Sequence, residues 1–451
     1  MTLLFRYLMT LFAGSLLADD GVNYQTQVRH VFQERCFACH GALKQENGLR
    51  IDTAAAAISG GDSGAAIVAG DAAASLLLQR ISTTDLAERM PPEGEQLKAT
   101  EIEAIRRWIN EGAKAPADET PESDPLDHWA FRPPVRPAVP QATDPAWNIN
   151  PIDSFIASAR ERHGLIPQPA ADKRIWLRRV SLDLVGLPPT LEEQSAFLND
   201  SSPAAHSDVV ARLLNSPQYG ERWGRHWMDI WRYSDWWGLG AEVRNSQKHI
   251  WHWRDWIVES MNSDKGYDQM LREMLAADEL YPDDPDRLRA SGFLARQYFK
   301  FNRTSWMDET IQHTSKAMLG LTFNCAKCHD HKYDPISQVN YYQFRAIFEP
   351  YQVRMDMIGN ELDFEKNGIP RAFDCNLDAQ SFVHVRGDDR NPDTTSVMQP
   401  TIPDFLSTGK FAVEPVTLPA EAWNPGTRQS VVDAYLHAAE VEIQAAQKAL
   451  T

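Results

Sequence analysis

Two short segments of the sequence place two cysteines and a histidine in the order Cys-x-x-Cys-His. The first comprises Cys36, Cys39 and His40, and the second comprises Cys325, Cys328 and His329. With five cysteines and 13 histidines in 451 residues, chance produces such a segment roughly 0.002 times per chain. Covalent attachment of haem requires two thiols at this spacing for the vinyl groups and an adjacent imidazole for the iron. The sequence therefore predicts two covalently bound haem c groups, with His40 and His329 as iron ligands.

Two other uses of paired cysteines explain these segments less well. A structural zinc site needs four ligands, and neither segment has a second Cys or His pair nearby. A zinc site that joined the two segments would leave both adjacent histidines without a role. A thioredoxin-like dithiol would lie in a βαβ pattern, which the surrounding sequence lacks. The remaining cysteine, Cys375, has no partner for a disulfide framework, so haem attachment is the favoured interpretation.

Met90 is the predicted second axial ligand of the first haem. It follows His40 by fifty residues and precedes Pro91 and Pro92. The prolines favour an extended, stiff loop that can present a thioether to iron, whereas a methionine that only fills a core more often lies on a helix face. A gap-filling role for Met90 is the alternative interpretation.

The elements around the first segment predict a small class I cytochrome c domain. Thr100 and Glu103 form a capping-box pattern that would open a helix. Ile102, Ile105 and Ile109 then fall on one stripe of that helix, which we expect to pack against the helix that carries Cys36. A helix before Cys-x-x-Cys-His, a methionine loop and a closing helix complete the expected layout.

Residues 23–114 resemble the Planctomycete-type cytochrome c domain. The resemblance rests on the order and spacing of the stretches VRHVFQERCFACHG, GLRIDT, GGDSGAAIVAGDAAASLLLQRI and MPPEGEQLKATEIEAIRRWINEGA. The family implies that haem is bound through Cys36 and Cys39, with His40 and Met90 as the axial ligands.

The sixth ligand of the second haem is predicted to be His226. Trp223, His226, Trp227 and Ile230 fall at positions i, i+3, i+4 and i+7 of one helical stripe, which predicts that they face an apolar environment together. A histidine satisfied within the core is the alternative, and five-coordinate iron open to chemistry is another. His331 follows His329 too closely to reach the opposite haem face. The other candidates are His249, His252, His313 and Met318.

A second resemblance covers residues 150–351. The stretches NPIDSFIASARERHGL, RRVSLDLVGLPPTLEE, SPQYGERWGRHWMDIWRYSD and GLTFNCAKCHDHKYDPISQ resemble the uncharacterised domain that follows the Planctomycete-type cytochrome domain in exported proteins. The resemblance also implies a further uncharacterised domain after this one.

The domain organisation follows from composition. We expect a signal peptide over 1–18, the cytochrome c domain over 23–114, a Pro-rich linker over 115–151 and a larger helical domain with the second haem over 152–352. Residues 353–451 are rich in Gly, Pro, Asp and Asn with short strand-like stretches, and they close with a helix. The predicted fold class is therefore mainly α, with an irregular, partly β C-terminal segment.

The N-terminus and the overall charge bear on location and partners. The first 18 residues place Arg6 in an apolar stretch that ends in small residues, which is typical of a secretory signal. We expect a periplasmic or cell-envelope protein, with an uncleaved membrane anchor as the alternative to cleavage after Ala18. A net charge of −17 is unfavourable for nucleic acid, because such binders displace counterions with positive surface. The expected partner is a redox protein.

Three functions remain open at this point, and no catalytic residue is predicted. The first is electron transfer by a dihaem cytochrome. The second is a haem-dependent oxidoreductase for a substrate such as a carbohydrate, with the N-terminal domain as electron outlet. The third is an exported scaffold with structural haems. Eight of the 14 tryptophans lie between Trp223 and Trp256, where they would either pack in a core that walls the second haem or stack on sugar rings.

Overall fold

The computed structural model describes residues 21–92, 94–235, 247–359, 361–407, 409 and 411–450. The fold is mainly α-helical and carries two small antiparallel sheets near the C-terminus, so the predicted fold class is confirmed. The predicted signal peptide over 1–18 lies outside the described residues. Within the described ranges, no helix is long and apolar enough to cross a membrane. The chain forms two compact units, of which the first comprises Met1–Pro133 with Lys332–Pro335 and the second comprises Pro134–His331 with Ile336–Thr451.

The first unit opens with a π-helical segment, Tyr24–Arg29, and continues through short α-helices. These are α1 (His30–Arg35), α2 (Phe37–His40), α3 (Ala54–Ser59), α4 (Leu76–Ser82) and α5 (Ala99–Asn110).

The core of the first unit is built around Trp108. Its indole stacks on Tyr24 with ring centroids 5.1 Å apart and meets the edge of Phe32 at 5.9 Å. Ile105 and Ile109 lie on the same buried face of α5, as their spacing predicts. The elements that hold the first Cys-x-x-Cys-His segment therefore share one apolar core.

The predicted capping box of α5 is wrong. The helix begins at Ala99, and the carboxylate of Glu101 accepts the backbone N–H of Lys98 at 2.7 Å. Thr100 and Glu103 thus lie inside the helix. The acidic residue at the third helical position, which closes the capping box, is Glu101.

The Pro-rich stretch after residue 115 is divided between the two units. Its first part is fixed to the first unit, because the buried carboxylate of Asp52 accepts the backbone N–H of Glu122 at 2.7 Å and the carboxylate of Glu119 accepts that of Ala54 at 2.9 Å. Arg50 donates to the carbonyl of Glu122 at 2.9 Å. The carboxylates thus accept hydrogen bonds from backbone N–H groups, and these bonds hold the start of the Pro-rich stretch against the first unit.

The second unit contains a longer series of α-helices. These are α6 (Pro151–Arg162), α7 (Lys173–Leu184), α8 (Leu191–Asn199), α9 (Ala205–Leu214), α10 (Pro217–Ile230), α11 (Trp251–Asn262), α12 (Tyr267–Leu280), α13 (Pro285–Leu288), α14 (Gly292–Arg296), α15 (Arg303–Thr314), α16 (Gln338–Phe348), α17 (Ala420–Trp423) and α18 (Gln429–Leu450). A short 3-10 helix, Asn324–Lys327, precedes α16.

The packing of α10 against α11 depends on two glycines. A Cβ on Gly220 would lie 2.4 Å from the carbonyl oxygen of Val258, and one on Gly224 would lie 3.3 Å from the Val258 side chain. The buried face of α10 therefore consists of Gly220, Gly224 and Met228. Small residues allow this close approach between backbones, and they determine which face of the helix turns inward.

The prediction of a buried environment is wrong for Trp223, His226 and Ile230, whereas Trp227 is partly buried against the core. His226 is exposed, and the side chains of Trp223 and Ile230 are 37% and 48% exposed. This stripe lies beside the glycine face and not on it. Trp223 and Ile230 are more exposed than their hydropathy predicts, because Gly220 and Gly224 form the contact between α10 and α11.

Two antiparallel pairs form the sheets of the second unit. Strand β1 (Tyr351–Asp356) pairs with β2 (Ile369–Asp374), with Tyr351 opposite Asp374. Strand β3 (Ser381–His384) pairs with β4 (Pro392–Met398). The expected strand near residue 381 and the expected final helix are both confirmed.

Candidate haem sites

One helical turn brings the first thiol pair and its histidine together. Cys36 ends α1, and its backbone N–H donates to the carbonyl of Phe32 at 2.8 Å. The carbonyl of Cys36 then accepts the N–H groups of Cys39 at 3.0 Å and His40 at 2.9 Å. Both cysteines and the histidine therefore belong to one hydrogen-bonded turn.

A cavity of about 280 Å³ lies beside this turn. Cys36, His40 and Met90 all line it. The rest of its wall is largely apolar and includes Leu49, Ile51, Leu76, Leu77 and Ile81. The structure thus places a predicted attachment point and both predicted axial ligands of the first haem around one apolar space. A pocket with apolar walls and a few aimed polar groups is the usual form of a cofactor site.

A glycine loop forms part of the cavity wall. A Cβ on Gly61 would lie 2.5 Å from the carbonyl oxygen of Asn47 and 2.7 Å from the backbone nitrogen of Leu49. Gly64 has a φ of +92°, which closes the loop without strain. The loop therefore lies directly against the backbone of two cavity residues, where only glycine fits.

The hydrogen bonding of His40 suits an iron ligand. Its Nδ1 lies 3.3 Å from the carbonyl oxygen of Leu49, so a proton on Nδ1 leaves the lone pair of Nε2 for a metal. Burial lowers the pKa of His40, against the opposing effect of the Leu49 carbonyl. The imidazole is therefore neutral near pH 7, which is the form that binds iron.

The loop that carries Met90 is fixed to α4. The backbone N–H of Met90 donates to the carbonyl of Arg80 at 2.9 Å, and the guanidinium of Arg80 donates to the carbonyl of Glu88 at 3.1 Å. These bonds hold the loop at Glu88 and at Met90 itself, while the half-buried side chain of Met90 lines the cavity.

Cys36 is chemically suited to the same space. Burial raises the pKa of its thiol to about 12, so the sulfur is protonated and neutral. A thioether is also neutral, so attachment to a haem vinyl group introduces no charge into the apolar wall. The donor set, the orientation of His40 and the apolar lining therefore fit a c-type haem, which supplies one-electron redox chemistry when bound.

A helical domain in which a Cys-x-x-Cys-His turn and a methionine loop line one cavity, and in which a closing helix follows, is typical of a c-type cytochrome. Residues 36–94 match the family model Planctomycete cytochrome C, and residues 151–353 match Protein of unknown function (DUF1549). The chain therefore carries a Planctomycete cytochrome C domain followed by a DUF1549 domain, which confirms both predicted resemblances. No curated protein and no solved structure matches the chain. The cytochrome domain implies covalently bound haem c and electron transfer.

The second Cys-x-x-Cys-His segment lies at the surface of the second unit. Cys325 lies in the short 3-10 helix, and Cys328 and His329 follow it directly. All three residues are exposed. The Nδ1 of His329 lies 2.8 Å from the carbonyl oxygen of Asp330, which again leaves Nε2 for a metal. The donor set and this imidazole orientation fit a second attachment site.

Lys327, between the two cysteines, anchors this segment to the core. Its ammonium pairs with the carboxylate of Asp308 at 2.6 Å. Its carbonyl accepts the hydroxyl of Tyr342 at 3.1 Å and the amide of Gln338 at 2.9 Å. The exposed thiols therefore project from a backbone that is fixed on its inner side.

A turn from the β3–β4 hairpin lies against Cys328. A Cβ on Gly387 would lie 2.4 Å from the sulfur of Cys328, and Gly387 has a φ of +76°. The amide of Gln338 also donates to the carbonyl of His384 at 3.1 Å. The hairpin and the second thiol pair are thereby connected through one glutamine side chain.

His384 is a residue that the sequence does not single out. It is 8% exposed, and its buried Nδ1 has no hydrogen-bond partner within the described ranges. Its ring centroid lies 5.0 Å from that of Tyr342, and burial lowers its pKa. A neutral, buried imidazole without a partner costs free energy unless another group binds it. Its only sequence signal is a histidine that follows the apolar pair Phe382 and Val383 at the end of a short strand.

The other histidines considered for this iron have partners. The Nε2 of His249 lies 2.8 Å from the carbonyl of Phe364, that of His252 lies 2.7 Å from the side-chain oxygen of Asn367, and that of His313 lies 2.8 Å from the carboxylate of Glu309. Each of these three histidines therefore already has a hydrogen-bond partner within the protein, as the alternative interpretation expects of a core histidine. Ligation by the exposed His226 stays an untested prediction.

The tryptophan-rich region packs mainly as a core. Trp231, Trp253 and Trp256 are at most 2% exposed, and Trp227 stacks on Trp231 with centroids 4.9 Å apart. Trp236 and Trp237 lie outside the described residues. The described tryptophans therefore support core packing over an open groove for sugar rings.

Proposed function

We propose that the protein is an exported dihaem c-type cytochrome that transfers electrons between its two haems and a redox partner protein. The observation that carries the proposal is the apolar cavity that Cys36, His40 and Met90 line together. The first haem would be held through Cys36 and Cys39, and the second through Cys325 and Cys328 with His329 on its iron. Export fits this chemistry, because thioether attachment is completed outside the cytoplasm.

The two irons differ in their expected potentials. Thioether and imidazole ligation at the first iron raises the reduction potential relative to ligation by imidazole alone. At the second segment the candidate ligands His329 and His384 are both imidazoles. Electrons would therefore run from the second haem to the first, and from there to the partner.

His384 is a better candidate than His226 for the sixth ligand of the second haem. It is buried and its imidazole lacks a partner, and it belongs to the hairpin whose Gly387 contacts Cys328. His226 is exposed on the far side of the glycine face of α10. Ligation by His384 would satisfy the orphaned imidazole and complete a bis-histidine iron.

The number of haems tests the proposal directly. An alkaline pyridine haemochrome assay on protein made in a host that matures c-type cytochromes should give two thioether-linked haems per chain. Replacing Cys36 and Cys39 by serine should leave one, and replacing Cys325 and Cys328 by serine should also leave one. Cys375→Ser is the matched control and should leave two. Full retention of two haems in either double variant would contradict the assignment.

A further inference from the structure

Arg80 is the only lysine or arginine among the described residues that line the cavity at the first Cys-x-x-Cys-His turn. Its guanidinium forms no ion pair within 4 Å in the part of the chain that the structure describes. The wall also contains one acidic residue, Glu46, but that carboxylate pairs with Lys44 at 2.8 Å. The cavity wall therefore carries one positive charge that has no counter-ion within the described ranges.

Helical spacing places Arg80 on the cavity face of α4. Leu77 precedes it by three residues, Ile81 follows it directly, and all three residues line the cavity. Residues at positions i, i+3 and i+4 share one face of a helix, so the half-buried arginine lies beside two apolar side chains. A guanidinium in such surroundings is unfavourable unless water or an anion compensates its charge.

The side chain of Arg80 has unused hydrogen-bond capacity. A guanidinium has five N–H donors, and within the described ranges this one makes a single bond, from Nη1 to the carbonyl oxygen of Glu88 at 3.1 Å. The backbone carbonyl of Arg80 also accepts the N–H of Met90 at 2.9 Å. Arg80 is therefore connected twice to the Met90 loop and still has donors for an anion in the cavity.

The anion that suits this position is a carboxylate on an otherwise apolar molecule. Haem is such a molecule, because its porphyrin ring is apolar and its propionate groups are carboxylates. Guanidinium and carboxylate groups form paired, charge-assisted hydrogen bonds. We propose that Arg80 binds a propionate of the first haem and thereby connects this haem to the loop of its axial ligand Met90. The inference rests on the proposed function, which places a haem in this cavity.

The contact has two consequences for the first haem. Reduction removes one positive charge from the iron, so a fixed positive charge near the porphyrin favours the reduced form. Arg80 therefore raises the reduction potential, both by its own charge and by neutralising the propionate. Its bond to Glu88 holds the loop of Met90 at the same time. Arg80 is thus a positioning residue, and the reduction potential and the sulfur ligation report on its two roles separately.

Three variants of the Cys325→Ser/Cys328→Ser protein, in which only the first haem contributes to the spectrum, test the contact. Arg80→Gln should lower the equilibrium constant for reduction about tenfold at pH 7.5, which is about 59 mV for a one-electron couple. Arg80→Lys keeps the charge and should restore most of the potential. Arg106→Gln is the matched control and should keep the potential, because Arg106 pairs with Glu103 at 3.3 Å on α5 and does not line the cavity.

The pH profile of the potential separates the propionate contact from a purely structural role. A propionate that loses its cation binds a proton more readily, and it does so more strongly when the iron is reduced. The potential of Arg80→Gln should therefore fall more steeply between pH 5 and pH 8 than that of the Cys325→Ser/Cys328→Ser protein. Glu46, the acid in the wall, is the same in both proteins. The sulfur-to-iron charge-transfer band of Met90 should persist in Arg80→Gln.

Three results would overturn the propionate contact while leaving the proposed function intact. The first is an equal potential and an equal pH profile in Arg80→Gln and its parent, each shown by the pyridine haemochrome assay to carry one haem. The second is the same shift in Arg106→Gln as in Arg80→Gln. The third is loss of the charge-transfer band in both Arg80→Gln and Arg80→Lys, because the bond to Glu88 would then be the whole effect. A parent protein without covalently attached haem would overturn the proposed function as well.

Discussion

The imidazole Nδ1 of His40 lies 3.3 Å from the carbonyl oxygen of Leu49, and Leu49 itself lines the cavity that His40 faces. One residue therefore both orients the predicted iron ligand and forms part of its apolar surroundings. A carbonyl behind the ligating imidazole fixes the ring and increases the basicity of Nε2. The backbone carbonyl of Leu49 thus holds the imidazole of His40 in a ligating orientation in the protein without haem.

The first prediction concerns the thioether ligand. Met90→Ala should leave haem attached to Cys36 and Cys39 but abolish the sulfur-to-iron charge-transfer band near the red end of the oxidised spectrum. The potential of the first haem should fall, because thioether ligation favours the reduced iron. Met261→Ala, in α11 of the second unit, is the matched control and should leave the band intact. A band that survives in Met90→Ala would show that another group binds this iron.

The second prediction separates two candidates for the remaining axial position. In a Cys36→Ser/Cys39→Ser background only the second haem contributes to the spectrum. His384→Ala should convert its iron from low to high spin and allow cyanide to bind, because the sixth position opens. His226→Ala, at an exposed position, should change neither property. A spin change in His226→Ala but not in His384→Ala would identify His226 as the ligand. High-spin iron in the Cys36→Ser/Cys39→Ser protein itself would show that the sixth position is already open.

The sequence predicts the attachment chemistry better than the surroundings of the second iron. A Cys-x-x-Cys-His order is local, so one turn of backbone is enough to assemble Cys36, Cys39 and His40. His384 is different, because its proximity to the second thiol pair depends on Gln338 and on the turn at Gly387. Such contacts arise from tertiary folding, and no spacing in the sequence encodes them.

The orientation of α10 shows the same limit for packing. Helical periodicity correctly predicts the helix, but hydropathy selects the stripe of Trp223 and Ile230 as its inner face. The actual contact is made by Gly220 and Gly224, which add little apolar area but allow α11 to approach closely. A rule that ranks residues by hydropathy overlooks contacts in which small size is the decisive property.

The third prediction tests that contact. Gly220→Ala should lower the free energy of unfolding of the second unit by about 1–3 kcal/mol, because its Cβ would overlap the carbonyl of Val258. Tryptophan fluorescence during urea unfolding measures the effect. Gly426→Ala introduces a Cβ with nothing within 4 Å and is the matched control. Equal stability of the two variants would mean that α10 and α11 lie further apart than described.

The fourth prediction concerns the pH dependence of stability. The pKa of Asp374 is raised to about 7 in the folded chain, from an ordinary value of 3.8, so between these values the folded state binds more protons than the unfolded state. Stability should therefore decrease as the pH rises from about 4 to about 7 and change no further above that on account of this group.

Asp374→Asn should remove this contribution and be more stable than the wild type at pH 8, whereas Asp378→Asn, at an exposed acid, should retain the wild-type slope. The urea midpoints of the wild type, Asp374→Asn and Asp378→Asn at pH 5 and pH 8 measure how stability changes with pH. If the wild type and Asp374→Asn changed in parallel, the pKa of Asp374 would not be raised in the folded chain.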